Sequence, residues 1–154
     1  MTEATMNADA ARVEGLWIKR AHRGELDPSG RVLAVEDKGI EGDACFGRKL
    51  RQVTIIEREV FDDVKESLPG VGPEMRRANV MVSGVRLAES GGKLLALGDV
   101  RIRIVAETKP CGRMEEARPG LQDALRPEWR GGAYGKVETG GEIAVGATAG
   151  WADE

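Results

Sequence analysis

The clearest pattern in the chain is an alternation of apolar and polar residues, typical of strands with one buried face. It is most regular in "VRIRIVA" (100–106), and the longer stretch 93–107 predicts two strands joined at Gly98-Asp99, because Gly-Asp pairs favour tight turns. Further strands are predicted in four stretches: 13–20, 31–37, 51–57 and 80–84.

One segment has helical rather than strand periodicity. Within 57–68 the apolar residues recur every three to four positions, and "PGVGP" (69–73) ends the pattern with two prolines and two glycines. We therefore predict the longest helix of the chain here.

The remaining stretches predict turns, short helices and one hairpin. Residues 21–30 and 38–50 are interpreted as turn-rich and Gly-punctuated loops. Residues 113–129 predict two short helical pieces broken at Pro119-Gly120, and 133–146 predict a hairpin around Gly140-Gly141. The predicted fold is mainly β: a closed or partly closed β-barrel of mixed strands with a few short helices.

Length and composition fit one small domain. The 154 residues are enough to bury a core without disulfide or metal support, so we expect a single domain at 13–150 after a flexible N-terminus at 1–12. A net charge of −3 argues against general nucleic-acid binding. No stretch has the basic and apolar pattern of a signal peptide or the length of a membrane span, which predicts a cytoplasmic protein.

The sparse histidine and cysteine content excludes several kinds of site. His22 is the only histidine, so multi-histidine metal sites are excluded, and a catalytic triad would depend on that one residue. Cys45 and Cys111 are too far apart for a C-x-x-C motif, and we expect neither a zinc finger nor a structural disulfide.

Cys111 has a neighbourhood that favours a reactive thiolate. It follows the 100–106 strand, lies between Lys109 and Arg113, and is followed by Gly112, which permits close approach of another molecule. The alternative is that Cys111 is a small apolar plug at the top of the barrel, where buried cysteines are common and inert. The local sequence leaves both interpretations open.

Six blocks of the chain, taken in order, resemble one protein family. The blocks are "GIEGDACFG", "RQVTIIERE", "RRANVMVSG", "LALGDVRIRIV", "KPCGRMEEARPGLQDAL" and "WRGGAYGKVETGGEIAVGA". Over about residues 13–148 the chain resembles the small stand-alone MOSC proteins, named for the C-terminal domain of molybdenum cofactor sulfurases. The resemblance implies a β-barrel in which the hallmark cysteine, Cys111 here, ligates molybdenum in a pterin cofactor or carries sulfur as a persulfide. Because some members of that family reduce N-hydroxylated compounds with this cofactor, the resemblance also implies such a reduction as a possible activity here.

The chain departs from the family pattern after the Gly-Asp of the first block. The family often has histidine or another bulky polar residue there, whereas this chain has Ala44 and Cys45. If that position touches ligand in relatives, its role here is open. We expect Cys45 to be the less reactive thiol because Ala44 and Phe46 flank it and Asp43 is near.

The residues also indicate a site for a small anion. A molybdenum pterin carries a phosphate and an oxo-metal centre, both suited to guanidinium groups. Two groups of candidate cofactor-binding residues lie at the edges of predicted strands, where side chains could point into a barrel mouth: Arg51 with Gln52, and Arg76 and Arg77 with Asn79. The further candidates are Lys109 and Arg113, which flank Cys111, and Asp43 of the first block. For Asp43 a structural role is preferred, through an Asx-type turn or by orienting an arginine.

Two functions remain from the sequence. The first is a molybdenum-cofactor-binding or sulfur-carrier protein that uses Cys111 as catalytic residue and metal ligand. The second is a non-catalytic module that binds a small anion or pterin. No flavin, haem or iron–sulfur motif is recognised, so the first function would need a redox or sulfur-donor partner protein. No nucleic-acid or membrane partner is predicted.

Overall fold

The computed structural model describes residues 11–21, 26–72, 77–109, 116 and 118–152. The strands are β1 (Arg12–Lys19), β2 (Leu26–Ser29), β3 (Arg31–Val35), β4 (Gly39–Ile40), β5 (Val53–Glu57), β6 (Val80–Ser83), β7 (Leu94–Leu97), β8 (Val100–Glu107), β9 (Ala133–Thr139), β10 (Gly141–Ala144) and β11 (Ala149–Ala152). The helices with described bounds are α1 (Arg58–Ser67), α2 (Leu121–Leu125) and a 3-10 turn (Pro127–Trp129). The prediction of a mainly β fold is confirmed, and α1, near the predicted 57–68, is the longest helix with described bounds.

The strands form two sheets. The larger has eight strands in the order β11-β7-β8-β9-β5-β6-β1-β2, and the smaller has the order β10-β3-β4. Among the described ladders, β5 and β6 are the one parallel pair, and α1 makes their crossover. The mixed-strand part of the fold prediction is therefore confirmed.

The prediction allowed a closed or a partly closed barrel, and a closed barrel is not found among the described residues. An isolated bridge between Arg12 and Thr148 brings the beginning of β1 beside β11, but no strand ladder among the described residues joins the two ends of the eight-stranded order. The large sheet curls on itself without becoming a closed barrel.

The two faces of the large sheet pack against different cores. Val53 and Ile55 belong to the main core, which also holds alternate apolar residues of β3, β7, β8 and β10. Ile56 points the other way and packs with Phe61 of α1 and Leu121 of α2. Because side chains alternate along a strand, any residue of β5 can be assigned to the main-core face or to the helix-covered face.

The hairpin predicted at 133–146 is wrong, although both of its strands exist. β9 pairs with β5 and β8, whereas β10 pairs with β3 in the smaller sheet. A Cβ built on Gly140 would lie 2.8 Å from the Ala34 carbonyl oxygen. The glycine is therefore needed for close packing against β3, and not for a two-residue turn.

The boundaries of other elements agree with the sequence to within a few residues. β7 and β8 form the expected hairpin at Gly98-Asp99. Strands β2 and β4 lie within stretches interpreted as loops, and β11 was not predicted. Among the described residues, none of the helices is long and apolar enough to cross a bilayer.

Candidate anion-binding site

One edge of the large sheet gathers polar residues from three strands. β5 and β6 are parallel, so the residues just before them, Gln52 and Asn79, lie at the same edge. β1 is antiparallel to β6 and ends there with Lys19. Lys19 alternates with Ile18 of the main core and Asn79 alternates with Val80, so both are assigned to the helix-covered face of the sheet.

Asp43 joins the 41–47 loop to this edge. Its Oδ1 accepts hydrogen bonds from the Lys19 backbone N–H (2.7 Å) and from Asn79 Nδ2 (2.8 Å). Its Oδ2 accepts one from the Cys45 N–H (2.9 Å), which is the Asx-type contact expected from the sequence. With three N–H donors, the buried carboxylate is well satisfied by its protein partners.

Asn79 is fully buried and uses its whole amide in the structure. Its Nδ2 donates to Asp43 and to the Trp17 carbonyl (3.1 Å). Its Oδ1 accepts from the Thr54 N–H (3.1 Å) and from Lys19 Nζ (3.2 Å). An amide with two donors and two acceptor positions filled acts as a rigid support for its neighbours.

Lys19 is a buried ammonium in this group, with only 7% of the residue exposed. Its Nζ donates to Asn79 Oδ1 and lies 3.8 Å from Asp43 Oδ2. Burial lowers the pKa of Lys19 below the usual 10.5, and the positive charges of Arg51 and Arg77 lower it further, against the opposing effect of Asp43 and Cys45. The charges of Arg51 and Arg77 therefore act on Lys19 in the same direction as its burial.

The two arginines are held in different ways. The Arg51 guanidinium lies over the Tyr134 ring, 5.3 Å from its centroid, and the described residues offer it no hydrogen-bond acceptor. Arg77 Nη2 donates to the Ala21 carbonyl (3.2 Å), and its backbone has φ of 54°, a left-handed conformation unusual for arginine. Of the predicted residues, Asp43 and Asn79 contact each other directly, while Arg51, next to Gln52, and Arg77, two residues before Asn79, lie at the same edge. Their role in binding a cofactor stays a prediction.

Gln52 lies beside this group but is engaged with the backbone. Its Nε2 donates to the carbonyls of Asp37 (3.0 Å) and Arg48 (2.7 Å), and its Oε1 accepts from the Val137 N–H (2.9 Å). These contacts join the 37–48 region to β9. A cofactor contact from Gln52 stays a prediction.

The strand that leads to Cys111 is linked to this edge through Tyr134. Tyr134 pairs with Thr54 on one side and with Ala106 of β8 on the other. Two residues beyond Ala106, the Thr108 hydroxyl is buried without a hydrogen-bond partner among the described residues. Cys111 follows three positions later.

The remaining predicted site residues are Cys111, Arg113, Arg76 and Lys109. Cys111, Arg113 and Arg76, together with the lone His22, lie outside the described residues. Lys109 is described and exposed, but no described contact links it to Lys19 or Asp43. Cys45 is a free thiol in a residue that is 7% exposed.

The residue that the sequence analysis missed is Lys19. It is the next-to-last residue of the predicted strand 13–20 and the last residue of β1, a position where a lysine ordinarily points to solvent. One signal could have identified it: Lys19 falls on the same face as Trp17, opposite Leu16 and Ile18, so a lysine occupies a position with apolar neighbours.

A cavity of about 540 Å³ lies elsewhere, beside the C-terminal end of β5. Its lining includes Glu57, Glu59, Asp63, Glu128, Arg86 and Arg130. The charged groups that line it are mainly carboxylates, unlike those around Lys19. No cluster of His, Cys, Asp and Glu suited to a metal ion occurs within the described part of the chain.

Comparison with known proteins identifies the family and the fold. The MOSC domain model matches residues 42–149. The YuaD protein of Bacillus subtilis is similar in structure, with a TM-score of 0.78 at 22% identity over 91% of this chain and 94% of its own. YiiM of Geobacillus stearothermophilus gives 0.71 at 16%, over 93% and 75%, and YiiM of Escherichia coli gives 0.69 at 15%, over 93% and 70%. No curated protein matches the chain.

Proposed function

Because this chain belongs to the MOSC domain family, which is linked to molybdenum-cofactor-related reduction, we propose that it binds an anionic molybdenum pterin cofactor beside Cys111. In this proposal the Cys111 thiolate ligates the metal, and the cations around Lys19 hold an anionic group of the cofactor. The reaction is the reduction of N-hydroxylated compounds.

The observation that carries the proposal is an excess of positive charge at the candidate site. Arg51 directly precedes Gln52 and Arg77 lies two residues before Asn79, so both belong to the edge where Lys19 ends β1, and both act with burial to lower the Lys19 pKa. The Asp43 carboxylate lies beside Lys19, with Oδ2 at 3.8 Å from Nζ. Clustered cations at a partly buried position repel one another, so a bound anion stabilises them. This charge balance fits a phosphate or an oxo-metal centre and disfavours a cationic ligand.

The described residues fit the anionic part of such a cofactor in two further respects. The Arg51 guanidinium is held over Tyr134 and keeps its N–H groups available for a planar, bidentate contact with an oxyanion. Tyr134 also neighbours the strand that ends just before Cys111. The anion-holding residues and the metal-ligating cysteine are thus proposed to act on one ligand.

When bound, the cofactor would supply two-electron redox chemistry at molybdenum. Cleavage of an N–O bond consumes two electrons and two protons and releases the hydroxyl oxygen as water, leaving the amine or amidine. The electrons would come from a separate redox protein, a partner role left open by the sequence. Arg51 and Lys19 would orient the cofactor through its anionic groups, while Cys111 fixes the reacting centre.

Analysis of bound molybdenum tests the proposal. The full chain, expressed in a molybdenum-replete host, should carry molybdenum and a pterin by elemental analysis and native mass spectrometry. Cys111→Ser should lose the metal, because serine lacks the soft thiolate, whereas Cys45→Ser should keep it. Protein free of molybdenum and pterin that instead gains sulfur at Cys111 from a sulfur donor would contradict cofactor binding and support a persulfide carrier.

Turnover separates the reductase from a non-catalytic binding module. The loaded protein, given a chemical reductant and an N-hydroxylated amidine, should release the amidine, and Cys111→Ser should not. Tight retention of the pterin without turnover under these conditions would support the binding module. The reductase function would then be rejected, while the anion site would still stand.

A further inference from the structure

We infer that Lys19 is itself a ligand-binding residue, whose buried ammonium donates a hydrogen bond to the bound oxyanion. The inference rests on the proposed anion site, but it assigns a contact that neither the sequence pattern nor the family resemblance indicates. The ligand class is an oxyanion carrying two negative charges, such as a phosphate monoester or an oxo-metalate.

Lys19 has hydrogen-bond donors that its described neighbours do not use. An ammonium has three N–H groups. Among the described residues Lys19 makes one side-chain hydrogen bond, to Asn79 Oδ1 at 3.2 Å. Its approach to Asp43 Oδ2, at 3.8 Å, is longer than a hydrogen bond. A lysine this deeply buried is rare without full pairing, so the remaining donors indicate a further acceptor.

Asp43 does not require Lys19 as its counter-ion. The carboxylate already accepts from the backbone N–H groups of Lys19 and Cys45 and from Asn79 Nδ2. Three short N–H contacts stabilise an ionised carboxylate without a neighbouring cation. Neutralising Asp43 is therefore an insufficient reason to bury the lysine side chain.

Asn79 cannot contact the anion while it keeps its four hydrogen bonds within the protein. Both of its donors and both acceptor positions are used, and one of those acceptor positions holds the Lys19 ammonium. Asn79 is thus a positioning residue that directs Lys19. The contact that the sequence assigned to Asn79 is transferred to Lys19.

Calorimetric titration with inorganic phosphate and with sodium molybdate tests the inference on the full chain. The wild-type protein should bind at least one of them, and Lys19→Met should weaken that binding by at least about tenfold, the effect of losing a charge-assisted hydrogen bond. The matched control is Lys136→Met, because Lys136 lies on neighbouring β9 and already faces Asp37 at 3.5 Å. The control should change binding by less than about twofold.

The titrations distinguish failure of the Lys19 contact from failure of the whole anion site. Binding by Lys19→Met as tight as wild type, with Arg51→Gln weakened, would overturn the Lys19 contact and leave the anion site intact. Absence of binding by the wild type to both anions would overturn the anion site and this inference together. Preference for phosphate or for molybdate identifies which anionic group of the cofactor occupies the position.

A measurement on the wild-type protein covers the case in which Lys19→Met fails to fold. Side-chain carbon NMR can follow the titration of the Lys19 ammonium with and without saturating anion. The groups that act on this ammonium are Asp43, Cys45, Arg51 and Arg77. A bound anion at hydrogen-bond distance raises the Lys19 pKa. An unchanged titration in the saturated protein would overturn the inference.

Discussion

The two ends of strand β5 carry opposite charge and use it differently. At the C-terminal end, Glu57 Oε2 accepts from the Leu87 N–H (3.2 Å), Glu59 Oε2 accepts from the Gly84 N–H (2.7 Å), and Asp63 lies 3.6 Å from an Arg130 nitrogen. These carboxylates have protein partners, although a cavity of about 540 Å³ lies beside them.

The N-terminal end has the reverse properties. Lys19 keeps unused donors, and Arg51 has an aromatic neighbour but no described hydrogen-bond acceptor. Charged groups with unused hydrogen-bond donors, and not cavity volume, therefore distinguish the candidate site in this molecule. The acidic end is explained by its own hydrogen bonds, whereas the basic end is not.

The largest expected effect follows from removing Asp43. Asp43→Ala leaves the buried Lys19 ammonium without its carboxylate and three N–H groups without their acceptor. We expect the free energy of unfolding to fall by about 3–5 kcal/mol in urea denaturation. Glu59→Ala, at the acidic end, should cost about 1 kcal/mol because it removes one hydrogen bond. Equal losses would show that the two ends are equally structural.

A second comparison removes one guanidinium from each end. Arg51→Gln should weaken binding of inorganic phosphate or molybdate by about tenfold in calorimetric titration, because it loses a direct charged contact. Arg86→Gln removes the same charge beside the acidic cavity and should change the affinity by less than about twofold. Similar losses in both variants would reduce the effect to net charge and contradict a local site.

The lowered pKa of Lys19 predicts a pH dependence of stability. Between the folded-state pKa and the usual 10.5, the unfolded chain binds more protons than the folded chain, so the cost of burying Lys19 declines as pH rises through that interval. Below the folded-state pKa the full cost applies. Relative to Lys19→Met, the wild type should therefore gain stability toward pH 10.5, by at most about 1.4 kcal/mol per pH unit. Urea denaturation across this range measures the difference, and parallel curves would contradict it.

The smallest expected effect concerns the thiols. Cys45 adjoins the basic end but is 7% exposed, so reagent access is limited. Iodoacetamide at neutral pH should label Cys111 at least about fivefold faster, because Lys109 and Arg113 flank it in sequence. Peptide mass spectrometry after timed quenching measures both rates. Equal rates would make Cys45 a candidate second thiol at the site.

The sequence indicated the local elements better than their partners. Apolar alternation located β8 and helical spacing located α1, because both patterns depend on residues close in the chain. β9 and β10 also alternate, but alternation does not specify which strand lies beside which, so the hairpin prediction at 133–146 was wrong. Closure of the sheet is likewise a property of distant contacts.

The same limit applies to the candidate site. Asp43 and Arg51 were accessible to sequence analysis because they stand at glycine-rich or strand-edge positions. For Lys19 the one local signal was its position on the Trp17 face of the strand, and its burial also depends on Asp43 and Asn79, which are 24 and 60 residues away in the chain. The contacts of Asn79 with Lys19 and Asp43 likewise join positions that are distant in the chain.

The most direct test of the central claim is anomalous diffraction at the molybdenum edge from crystals of the full chain soaked in sodium molybdate. We expect a molybdenum peak that places the molybdate oxygens within about 3 Å of Lys19 Nζ and the Arg51 guanidinium. A peak in the cavity beside Glu57, or no peak near Lys19 at saturating molybdate, would contradict the account.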